Sequence, residues 1–147
     1  MSQEGHTEHR PGYLVKRVQQ MLRHEADREL RDSGVTISQY AVLNALHEHP
    51  GASSAELARL CFVTRQSLQD VLAGLRGGGL VEVADRPAAG RAKPARLTSL
   101  GEQRLARAGD VMTAVEERML AGFGAEERAL LADLLIRCTD NLAGDPE

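Results

Sequence analysis

The sequence has no tryptophan, and only two tyrosines and two phenylalanines among its 147 residues. Aliphatic side chains and alanine must therefore supply the core, a composition that suits helix-on-helix packing. Cysteine is equally scarce. Cys61 and Cys138 stand far apart, without the spacing of a metal site or a disulfide framework, which favours a reducing cytoplasm. No apolar run approaches ~18 residues, and the first thirty are charged, so neither a membrane span nor a secretory signal is expected. Five scattered histidines, no nucleophile elbow, no phosphate loop and no ligand cluster leave catalysis unmotivated. His24-Glu25 and His47-x-His49 are too sparse for a metal. No catalytic residue, metal or cofactor is called for.

What is present is concentrated between Ser53 and Thr98, where the pattern reads as helix, tight turn, helix and two strands around a basic loop. Ser53 is suited to cap the first helix with Glu56 completing a capping box, and Thr64 to cap the second. In that second helix Leu68, Val71, Leu72 and Leu75 recur at i, i+3, i+4 and i+7, one apolar stripe. The opposite face carries Arg65, Gln66, Gln69 and Asp70 near its start, where a recognition helix meets base edges. Such a helix packs on one side and reads on the other.

The formal net charge of −3 argues weakly against nucleic acid until it is divided along the chain. Residues 1–32 are neutral, 33–101 carry +2 and 102–147 carry −5. Positive charge thus gathers where a DNA footprint would lie.

Flanking elements frame this unit. Residues 1–10 are expected to be disordered. Pro11 opens a long helix with Tyr13, Leu14, Val18, Met21, Leu22 and Leu30 on a broken apolar face, ended by Gly34. Ser38 is expected to cap the next helix, and Pro50-Gly51 to terminate it. Gly77-Gly78-Gly79 stops the reading helix. Leu80–Val83 and Ala95–Leu97 read as strands about a loop from Arg86 to Pro94. Thr98 or Ser99 caps a helix running to about Gly122, and Ala125 starts the last, with Leu130, Leu131, Leu134, Leu135 and Leu142 at helical spacing.

The chain resembles the MarR family of bacterial winged helix-turn-helix regulators over nearly its whole length. The resemblance rests on Ser38-Gln39-Tyr40-Ala41-Val42-Leu43, Ala55-Glu56-Leu57-Ala58, Val63-Thr64-Arg65-Gln66-Ser67, Gly79-Leu80-Val81-Glu82, and Gly90-Arg91-Ala92 followed by Leu97-Thr98-Ser99-Leu100-Gly101. No single segment is decisive; their order and spacing together are fairly specific. The fold expected is mostly α (α+β), a single MarR-like domain over 11–147, with a winged lobe at about 35–101. Dimerisation helices are expected at about 11–32 and 102–143. The resemblance implies a cytoplasmic homodimer on a pseudo-palindromic double-stranded operator, more often repressor than activator.

The expected DNA-facing set is Ser53, Thr64, Arg65, Gln66, Ser67, Gln69, Arg86, Arg91 and Lys93. Gln pairs bidentately with adenine and Arg65 meets guanine or a phosphate. Asp70 is expected to orient a neighbouring arginine or repel wrong registers rather than touch DNA. Arg91 suits a minor-groove probe, and Arg86 and Lys93 suit phosphates. The family commonly pairs the wing arginine with an acidic residue two positions earlier; here that position is Ala89. A more mobile wing follows unless Asp85 substitutes. Pro94 shortens the second strand or marks its edge.

Tyr13, Leu14, Val18, Leu130, Leu131, Leu134 and Leu135 are the expected dimer interface. Arg17, His24, Tyr40 and His47 are candidates for a small anionic or phenolic effector, against structural or surface roles for each. Two alternatives stay open: a redox regulator sensing through Cys61, which would need a low-pKa thiol, and a winged-helix protein-interaction module that never touches DNA.

Overall fold

The computed structural model describes residues 7–83 and 94–144. The chain divides into two compact units, Met1–Val115 and Glu116–Glu147. Of the ten leading residues, 1–6 lie outside the described set and Thr7–His9 form one exposed 3-10 turn.

In the first unit, helix α1 (Pro11–Leu30) starts on Pro11, whose fixed φ and missing N–H fit a first turn. A 3-10 turn (Arg31–Ser33) and left-handed Gly34 then end it. Helix α2 spans Ile37–Glu48. Its cap is Thr36 rather than Ser38: the Thr36 hydroxyl accepts from the Gln39 N–H at 3.1 Å, and the Gln39 side chain accepts from the Thr36 N–H at 3.0 Å. Reciprocity decides between two candidate caps, because only Thr36 has a glutamine three residues on.

Helix α3 (Ser54–Leu60) is capped by Ser53, as its sequence suggests. The expected box is only half made: the Ser53 hydroxyl accepts from the Glu56 N–H at 3.1 Å, but the Glu56 carboxylate accepts from that hydroxyl, at 3.1 Å, and not from the Ser53 backbone. Helix α4 (Arg65–Gly77) is capped by Thr64 and stops within the glycine triplet. Strands β1 (Val81–Val83) and β2 (Ala95–Leu97) pair antiparallel, with Glu82 opposite Arg96. Leu80, expected in the first strand, is instead drawn back to α4 by a 2.9 Å bond from its N–H to the Leu75 carbonyl. Strand β2 begins immediately after Pro94.

Helix α5 (Ser99–Met119) is capped by Thr98, whose Oγ1 accepts from the Gly101 N–H at 3.0 Å and donates to the Gly79 carbonyl at 2.6 Å. Gly101 is required by close approach: a Cβ there would overlap the Leu80 carbonyl. The helix ends at Met119, three residues before the expected Gly122, which follows in the left-handed region.

Leu30, Val42, Leu43, Leu57, Leu68 and Leu75 are fully buried in this unit, joined by Leu105 and Ala108 of α5. At ~1.5–3 kcal/mol for each large side chain removed from water, this aliphatic cluster fixes α3 and α4 on α2.

The second unit holds the last turn of α5 and helix α6 (Ala125–Leu142). Glu127 accepts from the Gly124 N–H at 3.0 Å, and Arg128 joins Glu117 at 2.9 Å across the corner. No residue of α6 is buried.

Candidate nucleic-acid interface

Helix α4 presents two chemically opposite faces. Leu68 and Leu75 are fully buried and Val71 and Leu72 half-buried, so the stripe read from the sequence anchors the helix. Arg65, Gln66, Ser67, Gln69 and Asp70 are all exposed. Because Thr64 Oγ1 accepts from the Ser67 N–H at 3.1 Å and donates to Ser67 Oγ at 3.1 Å, both hydroxyls are engaged in holding the N-terminus. Ser53 does the same for α3. Thr64 and Ser67 thus fix the start of α4, and Ser53 fixes the start of α3.

The amides are pre-oriented too. Gln66 donates to Asp70 Oδ1 at 3.2 Å, so the neighbour that Asp70 orients is a glutamine and not an arginine. Gln69 Nε2 donates to Ser54 Oγ at 3.3 Å, tying α4 to the first turn of α3. The Arg65 side chain makes no hydrogen bond or ion pair with another described residue.

Arg86, Arg91 and Lys93 lie outside the described residues, as do Asp85 and Ala89 of the wing-clamp question. At the described base of the hairpin, Arg96 Nε meets Glu82 Oε1 at 2.7 Å directly across the strands. That pair was not singled out in the sequence, because the register that makes 82 and 96 neighbours is a property of the sheet.

The candidate effector residues fall on two helices that pack together, α1 and α2. Arg17 and His24 are seven residues apart on α1, as are Tyr40 and His47 on α2, so each pair shares a helix face. Arg17, His24 and His47 are exposed; Tyr40 is half-buried against the core. None lines the open groove of about 1080 Å³ between α3, α4 and the hairpin, whose polar lining includes Ser54, Glu56, Gln69 and Arg76. Arg76 and Ser54 carried no signal in the sequence beyond being polar on a helix.

Cys61 is half-buried, its Sγ donates to the Ala41 carbonyl at 3.6 Å, and burial pushes its thiol pKa up. A sensor needs the reverse, so the environment of Cys61 opposes the redox alternative. Tyr13, Leu14 and Val18 on α1 and Leu130, Leu134 and Leu135 on α6 are exposed, with Leu131 half-buried. Among the described residues no three His, Cys, Asp or Glu side chains group as a metal site, and no helix is long and apolar enough to cross a membrane.

This arrangement of a capped helix-turn-helix followed by a two-stranded hairpin has relatives. The MarR family model matches residues 33–92. An HTH-type transcriptional repressor of Mycobacterium tuberculosis is 38% identical over 117 residues, covering 80% of this chain and 84% of the relative. The chain belongs to the MarR family. Structures of the mycobacterial protein have been solved with DNA (TM-score 0.72, 34% identity, 89% of this chain and 98% of that one) and with salicylic acid (0.71, 37%, 88% and 96%). Members of the family are DNA-binding regulators and not enzymes.

Proposed function

We propose that the protein is a cytoplasmic, homodimeric repressor that binds a pseudo-palindromic duplex and is released from it by a small aromatic acid. The observation that carries this reading is α4. One face is locked into the core by Leu68 and Leu75, and the other offers Arg65, Gln66 and Gln69 to solvent. That is the division of labour a major-groove helix requires: packing fixes its position and amides and guanidinium read. The mycobacterial relative, solved with DNA and with salicylic acid, supports both the partner and the chemical class of the effector.

The residues divide accordingly. Arg65, Gln66 and Gln69 read bases or the adjacent phosphates, and Ser53, Thr64 and Ser67 hold the helix ends. Arg86, Arg91 and Lys93 reach the backbone and minor groove from the wing. The exposed apolar residues of α1 and of α6 are each covered by a second copy, so the winged lobe (35–101) is presented twice by helices at 11–32 and 102–143. Arg17, His24, Tyr40 and His47 receive the effector, a cation and a phenol for its carboxylate and ring. A protein-docking module would instead expose apolar side chains on the outward face of α4, where this chain has polar ones.

Binding of duplex DNA measured across salt tests the reading. Two lobes neutralising on the order of 6–10 phosphates should lose ~10³-fold or more in affinity between 50 and 200 mM salt. Affinity that stays flat across that range on every fragment would sink it.

A further inference from the structure

Phe62 sits in the turn between α3 and α4 and is 95% exposed, so its ring packs against none of the described residues. Its backbone has φ 55°, in the left-handed region that residues with bulky side chains avoid. Among the described residues the other four positive-φ positions are all glycine: Gly34, Gly51, Gly79 and Gly122. The turn itself is fixed. The Phe62 N–H donates to the Arg59 carbonyl at 3.2 Å and the Val63 N–H to the Ala58 carbonyl at 3.0 Å. These are the paired bonds of a Schellman closure, with Phe62 at its left-handed position. Helix α4 ends with the same two bonds, from Gly79 to Arg76 and from Leu80 to Leu75, and there the left-handed residue is glycine. Glycine would serve the α3 closure better, and the core gains nothing from the ring. Neither local conformation nor packing accounts for a phenylalanine here.

Its place in the chain supplies the account. Phe62 precedes Arg65, the first residue of α4, by three positions, so the two Cα atoms are no more than about 11 Å apart. On the reading above, in which the start of α4 enters the major groove, the ring stands at the groove's edge on a rigid turn. It has no hydrogen-bond donor, so it cannot pair with a phosphate. The apolar groups available there are the deoxyribose face and the 5-methyl of thymine, and of these only the methyl carries sequence information. We propose that Phe62 is a specificity-determining residue that packs on a thymine methyl once in each operator half-site.

The test begins with duplexes that the full-length protein selects from randomised DNA, in which each thymine is then replaced in turn by deoxyuridine. Removing the contacted methyl should weaken wild-type binding about fourfold at one position per half-site. Phe62→Gly should bind the thymine and uracil duplexes equally at that position. Its melting temperature should equal or exceed that of wild type, because glycine relieves the positive φ, so lost discrimination is not lost folding. Phe62→Leu should keep part of the preference. The proposal is overturned if wild type is indifferent to every thymine methyl, or if Phe62→Gly retains the wild-type uracil profile. The second result would assign the ring to a protein partner. Failure of wild type to select any sequence defeats the DNA-binding reading itself, and this inference with it. That outcome is distinguishable because it appears before any substitution is made.

Discussion

Gln69 on α4 and Ser54 on α3 are joined side chain to side chain at 3.3 Å across the helix-turn-helix. On the proposed reading, the bond restrains the Gln69 amide before DNA is present and lowers the ordering cost of using it as a reader. Gln69→Ala should therefore relax base preference at one or two operator positions and cost ~1–3 kcal/mol on the best site. Lys93→Ala, at a position proposed to meet a phosphate, should weaken all sequences about equally and reduce the salt slope. Selection on randomised DNA checks both; an unchanged motif for Gln69→Ala would remove that residue from the readers.

Dimerisation is expected to rest on the apolar surface that neither unit buries. Leu134 and Leu135 are exposed on a helix with no buried residue. Replacing both by glutamate should yield a monomer in sedimentation and abolish operator binding, while the isolated α4 face is untouched. A stable dimer carrying both substitutions would move the interface elsewhere.

Release by an aromatic acid requires differential affinity for the DNA-competent and DNA-free states. A ~100-fold loss of operator affinity needs ~2.7 kcal/mol, and operator must weaken the acid by the same factor. With salicylate as probe, Arg17→Ala should leave operator affinity within a few-fold and remove the response. Cys61→Ser should leave the response intact, because the raised thiol pKa keeps Cys61 protonated. Loss of the response in Cys61→Ser, reproduced by peroxide in wild type, would reverse the assignment.

The Glu117–Arg128 pair gives a pH-dependent prediction. The Arg128 hydrogen bond and charge lower the Glu117 pKa below its usual value. A depressed carboxylate contributes stability above its unfolded pKa and loses it as pH falls through the lower folded value. Wild type should melt above Glu117→Gln at neutral pH, and the gap should close in acid. The gap should be small and shrink in high salt, since both groups face solvent. A gap that persists at low pH would mean that Glu117 acts through packing.

Much of this fold was legible because its determinants are local. The Thr64 cap, the Leu68–Leu75 stripe and the glycine triplet each act within one or two turns of backbone, and the structure follows them. Where two local signals competed, partners decided: Thr36 displaced Ser38 as the cap of α2 because Gln39 closes its bond in return. The half-made box at Ser53 shows the converse, a pattern satisfied in sequence whose carboxylate accepts from the Ser53 hydroxyl instead of the backbone.

The site divides the same way. Sequence alone determined that α4 would have a polar face with Arg65, Gln66 and Gln69, since a 3.6-residue period sorts side chains without reference to the rest of the chain. It also exposed the apolar helices at either end and the absence of catalytic groupings. Only the tertiary structure joined Gln69 to Ser54, fifteen residues away, and set Arg96 against Glu82 through the strand register. It alone showed Cys61 shielded under the Ala41 carbonyl and Phe62 standing free in a left-handed turn. Burial and backbone sign at a turn depend on what the folded chain places around a residue, and linear spacing carries no record of that.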